Sequence, residues 1–230
     1  MINSVKRPTA FVIAPSNHGM MIVNRFDYQI ECEKQNKGHG VGFEILENQS
    51  FDEEEVNNVL KILDLRRALH GDGLIALDCG ANIGVHTVEW AKHMFNWGYV
   101  ISFEPQEKIY YALAGNITLN NCFNVKAYNS ALGDKVSVIN VPRLNYFKAS
   151  SFGSLELEEK ENNEFIGQKI NYNKTTEVNM LTIDSLNLKR LDLVKIDVEG
   201  MEENVLKGSL EMIRVHKLIF VVATMKSNQT

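Results

Sequence analysis

The chain has 230 residues, 44% of them hydrophobic, which is enough for one α/β core, and its 29 acidic against 24 basic side chains leave a formal charge of −5. The lysines and arginines are scattered, which excludes a nucleic-acid backbone as the main partner, because counterion release needs a concentrated basic surface. No apolar stretch approaches the length of about 18 residues that spans a bilayer, and Met1 to Ala14 carries Lys6, Arg7 and Pro8 without the apolar region of a signal peptide, so no membrane insertion and a cytoplasmic location are expected.

In chain order, Phe11 to Ala14 and Met20 to Val23 flank Pro15-Ser16-Asn17-His18-Gly19, which reads as a hairpin with a five-residue loop able to cover a sheet edge. Residues 1–50 read as an N-terminal β extension and 51–230 as the main domain, the two forming one compact unit. Asp52 opens a helix with Glu55 at its third position, a capping-box pattern, and Val56, Val59, Leu60 and Leu63 form its apolar stripe before Gly71 and Gly73 end it. Ile75 to Leu77 is a short apolar run, as expected of a parallel strand covered on both faces, with Asp78 at its carboxyl end. Gly80 and Gly84 bracket a tight turn into a helix over Val85 to Met94, with Val85, Val88, Ala91 and Phe95 inward. The strand Tyr99 to Phe103 stops at Glu104, and Pro105 is pre-organised for the first helical position that follows. An acidic residue at the end of a second strand is the standard acceptor for ribose hydroxyls.

Gln106 to Asn120 reads as a helix with Ile109, Leu113 and Ile117 inward and with Asn116 and Asn120 on one face, where ordinary surface polarity explains both asparagines. Val125 to Ala131 is the third strand, leading into Ala131-Leu132-Gly133. From Arg143 to Lys174 the pattern weakens, and Glu156 to Glu164 holds five glutamates and one lysine. A solvated insertion is the plainer reading there; an acceptor-binding lid with Tyr146, Phe147 and Phe152 as sugar-stacking faces stays open beside it. In the fourth strand, Leu191 to Val198, the alternating Lys195, Asp197 and Glu199 project to one face, opposite Val194, Ile196 and Val198. Ionisable groups there are costly to bury unless paired or functional, so a structural ion pair and a catalytic role compete for Lys195, while position favours function for Asp197 and Glu199. A fifth strand runs from Lys217 to Ala223.

The glycine spacing narrows the ligand. A dinucleotide fingerprint would read G-x-G-x-x-G, whereas only Gly80 and Gly84 are present, with Ala81 and Asn82 between them. The Asp78 carboxylate repels phosphate and welcomes an ammonium or a sulfonium, which points to a cationic nucleoside without phosphates, S-adenosyl-L-methionine. Cys32, Cys79 and Cys122 have neither zinc nor disulfide spacing, and Cys79 reads as a small buried side chain. The six histidines show no metal-ligand spacing; His86 stands out in the first turn of the helix facing the cofactor, and the others read as surface residues.

Leu77-Asp78-Cys79-Gly80-Ala81-Asn82-Ile83-Gly84, Phe103-Glu104-Pro105, Asn116 with Asn120, Ala131-Leu132-Gly133-Asp134, Leu181-Thr182-Ile183-Asp184-Ser185-Leu186 and Lys195-Ile196-Asp197-Val198-Glu199-Gly200 follow one another in a characteristic order. Over roughly Asp52 to Ala223 the chain resembles the FkbM-type methyltransferases. The resemblance implies a class I methyltransferase fold, a Rossmann-like, mostly parallel doubly wound sheet, using S-adenosylmethionine to methylate a hydroxyl of a sugar, glycan or secondary metabolite. It implies a cofactor site of Asp78, Gly80, Ala81, Asn82, Gly84, Thr87, Glu104, Pro105, Asn116, Ala131, Leu132 and Asp197, with Ala131-Leu132-Gly133 near the adenine. Glu104 would hold the ribose, Asp78 and Gly80 the amino-acid end, and Asn82 the turn.

An alcohol oxygen needs its proton removed before it attacks, and Asp197 or Glu199 is the expected base, with His86 third. A cation bridging Asp197 and the acceptor lacks a third nameable oxygen ligand, so no metal is expected. The fifth strand ends in Ala223 and Thr224 where the family commonly has a glutamate, and the chain stops about seven residues later, short of two further strands. Either the N-terminal hairpin or a partner, such as a second copy in a homodimer, completes such a sheet, or the protein is a shortened one with weakened acceptor binding. A non-catalytic cofactor-binding domain and, less favoured, an NAD-dependent oxidoreductase remain as alternatives.

Overall fold

Short apolar runs alternate with helices along this chain, and a parallel sheet with helical crossovers is what that alternation builds. The computed structural model describes residues 8–32 and 37–222. It opens with an antiparallel hairpin, β1 (Phe11–Ser16) and β2 (Gly19–Asn24), then a pair of short strands, β3 (Gln29–Cys32) and β4 (Lys37–His39). Two helices follow, α1 (Val41–Asn48) and α2 (Glu53–His70), and then β5 (Leu74–Cys79), α3 (Val85–His93), β6 (Gly98–Phe103), α4 (Glu107–Leu119) and β7 (Val125–Tyr128). A second sheet holds β8 (Ala131–Leu132), β9 (Ser137–Pro142) and β10 (Thr175–Leu181); β11 (Leu193–Ile196), α5 (Glu202–Lys207), α6 (Leu210–Val215) and β12 (Ile219–Val222) finish the described chain.

The central sheet has the order β12-β11-β5-β6-β7 with every neighbouring pair parallel, the doubly wound Rossmann-like arrangement expected from sequence. From β5 the chain winds one way through β6 and β7 and the other way through β11 and β12, so the order reverses between β5 and β11. Ligands of such sheets bind beyond the strand carboxyl ends at that reversal. Both faces are apolar: Leu74, Ala76 and Val100 pack with Leu63 of α2 and Trp90 of α3, while Leu77, Ile101 and Val194 pack with Val205 of α5 and Leu132. A buried ion pair pins α2 to the sheet, with Arg66 donating to Asp192 Oδ1 at 3.0 Å while Asp192 Oδ2 accepts from the Ile75 N–H at 3.1 Å.

Several sequence expectations are corrected. The hairpin loop has two residues, not five, because the Ser16 hydroxyl accepts from the His18 N–H and donates to the Gly19 carbonyl, which closes the turn early. His18 is buried rather than on the surface, its Nε2 accepting from the Phe51 N–H at 3.0 Å. The hairpin adds nothing to the central sheet; it is a separate two-stranded sheet lying on α4. Helix α1, to which the sequence reading assigns no element, buries Val41, Gly42 and Ile45. Asp52 caps α2 by position alone, since its side chain makes no capping hydrogen bond and its backbone is left-handed. Phe95 is exposed because α3 ends at His93 and Met94 takes the inward place. The third strand divides, Val125–Tyr128 staying in the central sheet and Ala131–Leu132 pairing with β10. The fourth strand contracts to Leu193–Ile196, and Ala223 and Thr224 lie outside the described residues.

Candidate functional site

The turn after β5 is built where two loops touch. Gly80 has φ 85°, and a Cβ there would run into the Asp197 carbonyl of the loop after β11, so glycine is required on both counts. The Asp197 N–H in turn donates to the Cys79 carbonyl at 2.9 Å. Asn82, also at positive φ, donates its backbone N–H to Glu104 Oε2 at 3.0 Å, and the Gln106 N–H donates to Oε1 at 2.8 Å. Each Glu104 oxygen therefore keeps accepting capacity for a further hydroxyl donor. Burial pushes this carboxyl up to about 7, although the two N–H groups pull it down.

Asp78 is buried at the end of β5. Thr87 donates to its Oδ2 at 2.6 Å and lies 2.7 Å from Ser102, but Oδ1 has no hydrogen-bond partner. Burial raises the Asp78 carboxyl, opposed by Lys195 and Thr87. Lys195 donates to Asp197 Oδ2 at 2.8 Å and stands 4.0 Å from Glu55 Oε1. Burial works against its charge, yet the Asp197, Asp78 and Glu55 carboxylates outweigh it and hold the ammonium above its usual value. Glu199 is half-buried at positive φ, and burial, then repulsion from Asp197 and Glu202, pushes it up to about 8.

These groups border one pocket at the switch between β5 and β11. It takes in the predicted Asp78, Gly80, Ala81, Asn82, Gly84, His86, Glu104, Pro105, Ala131, Leu132, Asp197 and Glu199. Thr87 and Asn116 lie behind its wall. Asn116 is neither surface polarity nor a wall residue: it is fully buried, accepts from the Ile22 N–H at 2.5 Å, and donates to the carbonyls of Ile83 at 2.8 Å and Ile22 at 3.2 Å. Beside it Asn120 donates to the Met20 carbonyl at 2.9 Å, so the two asparagines fasten the hairpin to α4 and to the cofactor turn.

The sequence reading missed other wall residues. Val41, Glu44 and Phe51 come from around α1, and Ser151, Ser154, Leu155 and Leu157 from the 143–174 segment. That segment has no helix or strand; Leu155, Leu157 and Ile166 are buried with Val141, Val178 and Met201 and make a packed wall, while Glu158 to Asn162 between them are exposed, as the solvated reading expects. Asp27 ties the two walls, accepting from the Gly42 N–H and the Phe152 N–H, both at 3.0 Å. Phe152 is fully buried among Ile83, Val85 and Ile109, and neither it nor Tyr146 nor Phe147 reaches the pocket, so the sugar-stacking expectation fails for all three. Cys79 and Cys122 are free thiols, and burial pushes both upward, away from reactivity. No helix among the described residues is long and apolar enough to cross a membrane.

Residues 78–229 match the methyltransferase FkbM domain family. The chain is 27% identical over 149 residues to Methyltransferase 1 of Beauveria bassiana (strain ARSEF 2860), covering 60% of this chain and 59% of that protein. It is 26% identical over 156 residues to methyltransferase sdnD of Sordaria araneosa, covering 57% and 59%. The chain thus spans about three fifths of the length of these curated relatives. Among solved structures, methyltransferase FkbM from Methylobacillus flagellatus KT matches with a TM-score of 0.45 and 19% identity over 66% of this chain and 33% of that one. A SAM-dependent methyltransferase from Aquifex aeolicus matches with 0.36 and 14% over 79% and 78%.

The cofactor of this family is S-adenosylmethionine, and the residues present fit it. The orphaned Asp78 Oδ1 suits an ammonium, and the free accepting capacity of Glu104 suits ribose hydroxyls. The buried Ala131 and Leu132 offer an apolar wall to a purine.

Proposed function

Because the chain belongs to the FkbM methyltransferase family, we propose that it transfers a methyl group from S-adenosylmethionine to a hydroxyl of a sugar, glycan or secondary metabolite. The observation that carries the reading is the convergence of two groups on one pocket. Asp78 at the end of β5, Glu104 after β6 and the apolar Ala131 and Leu132 of β8 suit a nucleoside, and Lys195 of β11 with Asp197 and Glu199 just after it brings ionisable groups to the same space.

When bound, S-adenosylmethionine supplies a methyl carbon made electrophilic by its sulfonium. Asp78 would hold the ammonium of the amino-acid end and Glu104 the ribose, with Gly80, Ala81 and Asn82 shaping the turn. Alignment of this kind contributes up to about 7 to 11 kcal/mol to a transfer between two bound partners. Glu199 would take the proton of the acceptor hydroxyl. Its carboxyl, held near 8, suits a base working near neutral pH better than a carboxylate at its ordinary value. His86, pushed down to about 3 by burial, is a weaker proton acceptor. Lys195 keeps Asp197 in place through their ion pair and limits the repulsion among the acidic groups. We further place the reaction in the cytoplasm, the free thiols Cys79 and Cys122 being consistent with a reducing compartment.

The test is formation of S-adenosylhomocysteine by the purified chain with monosaccharide, glycan and polyketide alcohols, each beside its deoxy, amino and thiol counterparts. Turnover that needs the hydroxyl supports O-methyl transfer. Turnover only with amine or thiol acceptors rules that acceptor class out.

A further inference from the structure

We propose that Asp52, Glu55 and His86 form a binding site for a first-row divalent cation in the wall of the pocket. Asp52 and Glu55 come from the start of α2 and His86 from the first turn of α3, where the two helices meet. One ligand atom from each lies within 4.8 Å of the others. Ligands on one cation, with bonds of about 2.0 to 2.2 Å, stand roughly 3 to 4 Å apart, so a small rotamer adjustment closes the set. Asp52 is exposed and free to make it.

An independent observation points to a ligand. The His86 side chain is only 7% exposed, its Nε2 lies 3.6 Å from Glu55 Oε1, and neither ring nitrogen has a hydrogen-bond partner. A buried polar group left without a partner is destabilising. A cation between His86 and the carboxylates removes that cost on one nitrogen. It also separates two like charges, since the Asp52 side chain makes no capping hydrogen bond to α2 and one of its carboxylate oxygens lies within 4.8 Å of one of Glu55.

The local charge favours a cation. Glu44, Asp52, Asp78, Glu104, Asp197 and Glu199 line the pocket, and Lys195 is the one lysine or arginine among its lining residues. That ammonium is taken up by Asp197 at 2.8 Å and stands farther, at 4.0 Å, from Glu55. One imidazole with two carboxylates suits zinc, manganese, iron or cobalt better than magnesium or calcium, which prefer oxygen alone. Three protein ligands leave coordination positions open, and Asp52 and His86 both border the pocket. An oxygen of the acceptor filling such a position rests on the methyltransferase reading; the cation site itself does not.

The experiment is a titration of the full, untagged chain with Co²⁺ and, separately, Zn²⁺, in the absence of S-adenosylmethionine, read by visible absorption and calorimetry. One equivalent should bind, and Asp52→Asn and Glu55→Gln should each weaken binding about tenfold or more, while both variants melt as the wild type does without metal. Because Asp52 is exposed, Asp52→Asn decides the matter even if a variant at His86 fails to fold. Absence of saturable binding below the millimolar range, or wild-type affinity in either variant, overturns the site. Neither result depends on methyl transfer.

Discussion

At the scale of single residues, the pocket depends on carboxyl groups held away from their ordinary values. Glu104 sits at about 7 in the folded chain against 4.5 in an unfolded one. Its folded value is raised, so its contribution to stability is fully present below about 4.5 and is lost as pH rises through about 7. The same ionisation prepares it to accept ribose hydroxyls. Affinity for S-adenosylmethionine should therefore tighten as pH rises through about 7 and then level, and Glu104→Gln should flatten that profile while weakening binding; calorimetry from pH 6 to 8.5 measures both. Glu199, at about 8, predicts a rate limb that climbs with pH up to about that value. Glu199→Gln should lower kcat by roughly 100-fold to 10,000-fold and remove the limb. A pH–rate profile of the variant that kept the wild-type limb would transfer the role of base to another group.

At the scale of elements, two buried polar clamps set where the site forms. Asp192 joins Arg66 of α2 to the β5 backbone, and removing one partner of a buried ion pair costs about 3 to 5 kcal/mol. Asp192→Ala should lose stability of that order in urea denaturation. Asn116→Ala should cost about 1 to 3 kcal/mol for the polar groups it strands and should also weaken cofactor binding, because its Nδ2 holds the Ile83 carbonyl of the turn. The contrast explains what could be read in advance. The β5 turn, Glu104 and the alternation of strands with helices are local patterns, so glycine spacing and apolar runs revealed them. Asn116 and Ile22 stand 94 residues apart, and Asp27 reaches Phe152 across 125. No local pattern encodes such pairs, so neither the grip of Asn116 on the hairpin nor the approach of His86 to Asp52 and Glu55 is legible in the sequence. The buried part of the 143–174 segment is illegible for a related reason: it packs through scattered leucines and isoleucines without helix or strand, so it has no period to detect.

At the scale of the whole molecule, the extension before α2 and the sheet share one pocket and one core. Val41, Ile45, Met21 and Val23 pack with Val56, Ile83, Val85, Ile109 and Phe152. Removing residues 1–50 should expose that apolar face, lower solubility and abolish cofactor binding, as dye binding and calorimetry on the shortened chain would show. Such a result supports treating the extension and the domain as one unit. The most direct test of the central claim, a cofactor site built from Asp78 and Glu104 at the β5 and β11 switch, is thermal unfolding with and without S-adenosylmethionine in the wild type, Asp78→Asn and Glu104→Ala. Ligand at a hundred times its dissociation constant adds about 2.7 kcal/mol of stability. The account predicts a rise in Tm in the wild type that both variants lose; no rise in the wild type, or an undiminished rise in both variants, would contradict it.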